Sequence, residues 1–290
     1  MKLSKIKRVV PWWLRIGIKI IVSRLPMIGG YSFWQDFGLF RHGSMDDMNY
    51  SYRVFSEHME KSKAHPLAGK VLIEIGPGDG LSTAVIAASY GASSVLIDEG
   101  DFVAKDTNYL IKLCSFLEKK GLTPPNIKTK DSVDDILVKC NSKYLTNGIK
   151  SFSDISEESI DIIFSQAVLE HVNRLDFFKM AEECFRVCKS KGVCSHQVDL
   201  RDHLGGGLNN LRFSNKVWES DFFKKSGFYT NRIQYDEVIK MFKEVGFTCN
   251  ELAVNRWNEL PLPKNKLSNE FKDLSMENLR VKSFDIILKK

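Results

Sequence analysis

The feature that most limits how this chain can fold is a short stretch between residues 71 and 98. A β-rich apolar run, Val71-Leu72-Ile73-Glu74-Ile75, gives way to the turn Gly76-Pro77-Gly78-Asp79-Gly80, then to an alanine-rich helical segment from Leu81 to Tyr90 with Gly91 as its stop. Glycines remove the side chains that would keep a ligand off the backbone, and the start of the helix directs unpaired N–H groups and a positive dipole end at whatever sits there. A second buried run, Ser94-Val95-Leu96-Ile97, ends in Asp98. A carboxylate at that place can accept hydrogen bonds from ribose hydroxyls. The pattern predicts an α/β fold whose strand ends carry a nucleoside-like ligand, with Gly76, Pro77, Gly78, Gly80 and Asp98 as contacts.

Two cofactor classes use such a turn, and the spacing separates them. A nicotinamide fingerprint needs Gly-x-Gly-x-x-Gly, whereas here the order is Gly-x-Gly-x-Gly with Glu74 two residues before the first glycine. That arrangement resembles the first motif of the class I S-adenosylmethionine-dependent methyltransferases. The resemblance implies S-adenosylmethionine as cofactor, with Glu74 helping to hold its methionine amino group, Gly76, Gly78 and Gly80 passing beneath it, and Asp98 on its ribose. It extends over about residues 69–290. Ser159 to Gln166 followed by Ala167-Val168-Leu169-Glu170-His171-Val172 is similar to the family's fourth strand and helix entry beneath the cofactor, which makes Gln166 a further contact.

A helix from Leu175 to Lys189, a strand from Val193 to Val198, a helix from Tyr235 to Val245 stopped by Gly246, and strands over Phe247–Val254 and Ser283–Leu288 complete the order. The fold so implied is a Rossmann-like seven-stranded mixed sheet with an antiparallel last strand, plus an N-terminal helical segment. One departure stands out. Family members often carry an acid after the third strand to hold the adenine amino group; here Tyr144-Leu145-Thr146-Asn147-Gly148 offers Asn147, whose carbonyl would accept the same bond.

With 290 residues, 43% of them hydrophobic, the chain can bury a full core without disulfides. Its six cysteines form no CxxC pair and no zinc-type spacing, which points to a reducing, cytoplasmic setting and to no metal. Cys184 and Cys188 continue an apolar helical stripe and read as core. The net charge of +6 is concentrated at one end: Lys2, Lys5, Lys7, Arg8, Arg15, Lys19 and Arg24 lie in a stretch without any acid, so the body is close to neutral. That gives no electrostatic reason to expect nucleic acid as a partner.

Residues 1–30 read as a basic amphipathic helix from Pro11, with Arg15 and Lys19 on one face and Trp13, Ile16 and Ile20 on the other. Such a helix either lies at an anionic membrane surface as a peripheral contact or docks on the protein as a cap. Residues 31–68 read as a helical lid, and 69–290 as the methyltransferase domain with an acceptor-binding insert at about 200–234.

Methyl transfer from a sulfonium requires the protein to align the acceptor and remove its proton. The segment Ser195-His196-Gln197-Val198-Asp199-Leu200-Arg201-Asp202-His203 is dense in titratable groups at the end of the fifth strand, where ligands of open α/β sheets collect. His196 is the first candidate base, oriented by Asp199 or Asp202; His171 and His203 follow. The insert, with Asn209, Asn210, Arg212, Trp218, Phe228, Tyr229, Asn231 and Arg232, suits a polar ring-shaped acceptor, because aromatics stack on sugar faces while amides and guanidinium read hydroxyls. The expected function is O-methylation of a small polar acceptor such as a sugar or envelope-glycan precursor. The alternatives are a membrane-associated lipid or quinone methyltransferase and a non-catalytic S-adenosylmethionine-binding regulator.

Overall fold

The computed structural model describes residues 13, 14, 16, 17, 47–104 and 107–290. The charged positions of the basic segment and residues 31–46 lie outside the described residues. Seven strands form one sheet: β1 Val71–Ile75, β2 Ser93–Ile97, β3 Ser142–Leu145, β4 Ile160–Gln166, β5 Cys188–Asp199, β6 Thr248–Arg256 and β7 Val281–Lys289, in the order β3-β2-β1-β4-β5-β7-β6. Strands β1 to β5 pair in parallel, and β7 runs antiparallel between β5 and β6. The order reverses between β1 and β4. In an open parallel sheet the crevice outside the strand ends at that reversal is where ligands bind.

Both faces of the sheet are covered, which is why β1, β2 and β4 read as almost continuous apolar runs. Side chains alternate along each strand, so Ile73, Ile75 and Ile163 face one layer while Leu72, Ile162 and Phe164 face the other. The first layer holds α5 (Phe177–Val187) and α8 (Tyr235–Val245), whose Phe177, Met180 and Phe242 are buried. The second holds α1 (Met48–Lys61), α2 (Ser82–Ser89), α3 (Asn108–Lys119) and α4 (Val133–Lys139). Each fully buried Leu, Ile or Phe contributes roughly 1.5–3 kcal/mol of transfer free energy to this packing.

Helix α1 begins at Asp47, whose carboxylate accepts the N–H groups of Asn49 and Tyr50 at 2.9 and 3.1 Å. Helix α8 ends at Gly246 with φ 117°, a left-handed closure that suits glycine. Within the span expected as a helical lid, α1 packs into the second layer through Phe55 and Met59. Strand β5 also starts five residues earlier than the expected Val193, with a register shift against β4 between Ile160 and Ile162.

Past β5, the insert folds into short helical turns, among them α6 (Asn215–Trp218) and α7 (Asp221–Lys224), around a small core of Leu204, Trp218, Phe228 and Tyr229. Two more, α9 (Asn269–Lys272) and α10 (Met276–Leu279), precede β7. Trp13, Leu14, Ile16 and Gly17 are helical. Ile16 is 8% exposed against the insert core, whereas Trp13 and Leu14 are 59% and 41% exposed. Among the described residues no helix is long and apolar enough to cross a membrane.

Candidate active site

The turn after β1 takes the backbone that the sequence calls for. Gly76 and Gly78 sit at φ 72° and 68°, a region in which a side chain is strained. The Gly76 N–H donates to the carbonyl of Ile97 at 2.8 Å, which fastens the turn to the end of β2. The Gly78 N–H donates to Asp98 Oδ2 at 3.1 Å, and Asp98 Oδ1 accepts the Glu99 N–H at 2.8 Å. Burial pushes the Asp98 carboxyl up to about 6, although these two N–H bonds pull the other way. Pro77 and Gly80 are buried within the same turn.

Glu74 is 2% exposed, and its Oε2 lacks a hydrogen-bond partner. Burial pushes its carboxyl up to about 8, against a smaller opposing pull from the Thr83 hydroxyl on α2. An enclosed acid with an unused oxygen is costly on its own, and a cationic ligand nitrogen would supply the missing partner. On the far side of the turn Asn147 is exposed two residues beyond β3, and the next residue's N–H, that of Gly148, donates to the Asp98 carbonyl at 2.8 Å. These residues therefore fit a nucleoside carrying an amino-acid chain.

The turn after β4 lies against the glycines. A Cβ on Gly76 would meet the Val168 side chain at 2.5 Å, so the absence of one allows Val168 to rest there. Ala167 takes φ 53°, and the His171 N–H donates to the Val168 carbonyl at 2.8 Å. His171 Nδ1 is 3.2 Å from the Tyr229 carbonyl, and the His171 and His203 rings are 4.8 Å apart. Both histidines are exposed. His203 is placed by its buried neighbour Asp202, whose carboxylate gathers the N–H groups of Leu204 at 2.9 Å, Gly206 at 3.0 Å and Asn209 at 2.5 Å.

Asp199, at the end of β5, is bound in a two-pronged ion pair by Arg201 at 2.5 to 3.1 Å. Beside it lies Glu170, which sequence reasoning missed as a site residue. It is 3% exposed, its Oε2 has no hydrogen-bond partner, and burial pushes it up to about 8, with Asp199 adding to the rise and Arg201 opposing it. The signal for Glu170 was its place in the Leu169-Glu170-His171 turn, an acid among apolar neighbours at a strand end.

His196 is where expectation and structure part. It is 1% exposed in the body of β5, its ring lies parallel to Phe242 at 5.8 Å, and its Nδ1 is 2.8 Å from Ser165 Oγ. Burial pushes its ring down to about 3, so it stays neutral and enclosed, and no base role opens to substrate from there. Gln166, expected at the cofactor, accepts at Oε1 from His58 Nε2 at 3.1 Å and donates its amide N–H to Gln197 Oε1 at 3.3 Å. The insert also differs from expectation. Arg232 is 3% exposed and spends its guanidinium on the Asn210 and Phe213 carbonyls and on Asn215 Oδ1. Trp218 is fully buried. These groups hold the insert together.

Surface clefts of about 550 Å³, along α8 and Glu251, and about 440 Å³, beside Val71, Lys143 and Ile160, contain none of the acids or histidines above. Among the described residues no cluster of His, Cys, Asp or Glu forms a metal site.

Residues 126–195, from before β3 to mid β5, match the family model described as a methyltransferase domain. The segment that includes β4 and the His171 turn is thus that of a methyltransferase domain. Glu74, Gly76, Gly78 and Asp98 fit S-adenosylmethionine as described; these four lie outside the matched segment, so their part rests on geometry. No match was found among curated proteins.

Solved structures resemble the methyltransferase at low identity. An S-adenosylmethionine-dependent methyltransferase from Archaeoglobus fulgidus is 12% identical with a TM-score of 0.44, covering 90% of this chain and 100% of its own. One from Methanosarcina mazei is 17% identical with a TM-score of 0.45, covering 76% and 92%. Phosphoethanolamine N-methyltransferase 2 of Haemonchus contortus, solved with phosphomonomethylethanolamine and S-adenosylhomocysteine, is 14% identical with a TM-score of 0.42, covering 80% and 51%.

Proposed function

We propose that the methyltransferase O-methylates a small polar acceptor, with His171 as the general base. The observation that carries this reading is the contact of His171 Nδ1 with the Tyr229 carbonyl at 3.2 Å, on a turn whose Val168 lies against Gly76. A carbonyl only accepts, so in the neutral ring Nδ1 carries the proton and Nε2 the lone pair. Nε2 then takes the proton of an acceptor hydroxyl as its oxygen becomes nucleophilic. Bound S-adenosylmethionine supplies the electrophilic methyl carbon. His203, Arg201 and Asp199 line the same strand ends and give an acceptor polar groups to meet, which favours a hydroxylated molecule of the kind found among sugars and glycan precursors. Docking of Ile16 on the insert supports the capping role of the N-terminal segment over a membrane-surface one.

A labelled-methyl transfer screen against nucleotide sugars, glycans, lipids and quinones tests this. Transfer to a hydroxylated polar acceptor, reduced about 100-fold or more in His171→Ala and unchanged within about threefold in His196→Asn, is expected from the usual weight of a general base. Full turnover in folded His171→Ala removes the base assignment. Binding of S-adenosylmethionine with no transfer to any acceptor removes the enzyme's proposed acceptor class altogether.

A further inference from the structure

Asn231 stands at the junction between the insert and the turn that carries His171. It is 2% exposed, and its amide nitrogen and backbone N–H are both used in that junction. Its amide nitrogen donates to the carbonyls of Leu169 at 2.7 Å and Val172 at 2.9 Å, one on either side of His171. Its backbone N–H donates to the Glu170 carbonyl at 2.8 Å. Its Oδ1 accepts the Ile233 N–H at 3.0 Å, which orients the amide. Two residues earlier, the same segment presents the Tyr229 carbonyl to His171 Nδ1.

We infer that Asn231 is a positioning residue for His171: it clamps the turn over 169–172 against the insert so that the neutral imidazole holds its proton on Nδ1 and its lone pair on Nε2. This rests on the reading of His171 as base and adds the device that prepares it. The geometry is specific to an amide. Two carbonyl oxygens converge on one NH2 group, and no isosteric side chain other than an amide offers two donors from a single atom there. A carboxylate of the same shape would set an acceptor against two acceptors and push the turn away from the insert. The Arg174 guanidinium, 3.5 Å from the Asn231 carbonyl and paired with Glu237, adds a weaker tie on the same seam.

The test is the tautomer of His171 in full-length protein labelled with 15N-histidine, read from ring N–H correlations at a pH where the ring is neutral, with His171→Gln assigning the signal. The wild type is expected in the Nδ1–H form, and Asn231→Asp is expected to shift at least half of the population to Nε2–H. Where Asn231→Asp does not fold, Asn231→Ala, which removes both donors and adds neither a donor nor a charge, takes its place. An Nε2–H ring in the wild type, or an unchanged tautomer in a folded variant, overturns the inference. With an acceptor from the transfer screen, the variant is expected to lose at least tenfold in kcat while its KM for S-adenosylmethionine stays within twofold. Equal loss in both overturns positioning in favour of a general structural role. Full turnover in His171→Ala alongside the expected tautomer shift would defeat the base reading alone and leave the clamp standing.

Discussion

Glu74 is held in a state that folding alone disfavours, because its carboxyl is enclosed with one oxygen unsatisfied. Replacing it by Gln is expected to stabilise the ligand-free protein at pH 8 by roughly 1–3 kcal/mol, the usual cost of an unsatisfied buried polar group. The same change is expected to weaken S-adenosylmethionine binding at least tenfold. Paired thermal melts and calorimetry at pH 8 check both, and a variant that gains neither stability nor loses affinity contradicts the role. The place of Glu74 and Asp98 beside the glycine turn was legible in the sequence because their distances from the glycines are set by strand geometry. His196 was not. Ser195 and His196 are neighbours whose side chains must face opposite sides of the sheet, Ser195 toward His58 and His196 toward Phe242, and both lie short of the strand's end. A dense run of titratable residues says nothing of how deep in a strand each one falls.

At the level of the element, the glycine turn and the β4 turn form one unit, since Val168 occupies the space where a Gly76 side chain would be. Gly76→Ala meets both a left-handed φ, worth about 1–2 kcal/mol, and a steric overlap worth about 1–3 kcal/mol. Adding Val168→Ala is expected to recover the steric part only, so a double variant that regains about half of the lost stability in denaturant titrations is the outcome to look for. Full recovery would mean the backbone angle costs nothing. The parallel strands were legible because burial on two faces leaves uninterrupted apolar runs. The insert was not, because Trp218, Phe228, Asn210 and Arg232 have the composition of a ligand-reading surface and instead pack on one another and bond to local carbonyls. Composition alone does not distinguish an aromatic ring that meets a ligand from one that meets its neighbour.

Across the whole molecule, buried acids and buried histidines tune stability in opposite directions. His58 and His196 are pushed down to about 4 and about 3, mainly by burial, so their contribution is complete above pH 6.5 and is lost as pH falls toward those values. Glu74 and Glu170 are pushed up to about 8 by burial, so theirs is complete below pH 4.5 and is lost as pH rises toward 8. The slopes oppose one another between pH 4.5 and 6.5. Denaturant midpoints are therefore expected to decline on both sides of it, with the alkaline decline reduced in a Glu74→Gln, Glu170→Gln double variant. An unaltered alkaline slope in that variant would show that other groups set it.

Strand β7 follows the other six in the chain yet occupies an interior slot, hydrogen-bonded to β5 on one edge and β6 on the other. During synthesis β6 leaves the ribosome with nowhere to pair, and β5 keeps an open flank, until residues 281–289 have cleared the exit tunnel. Closure of the sheet thus waits on residues 281–289, and a nascent chain stalled before them would present two unpaired strand edges to its neighbours on a polysome.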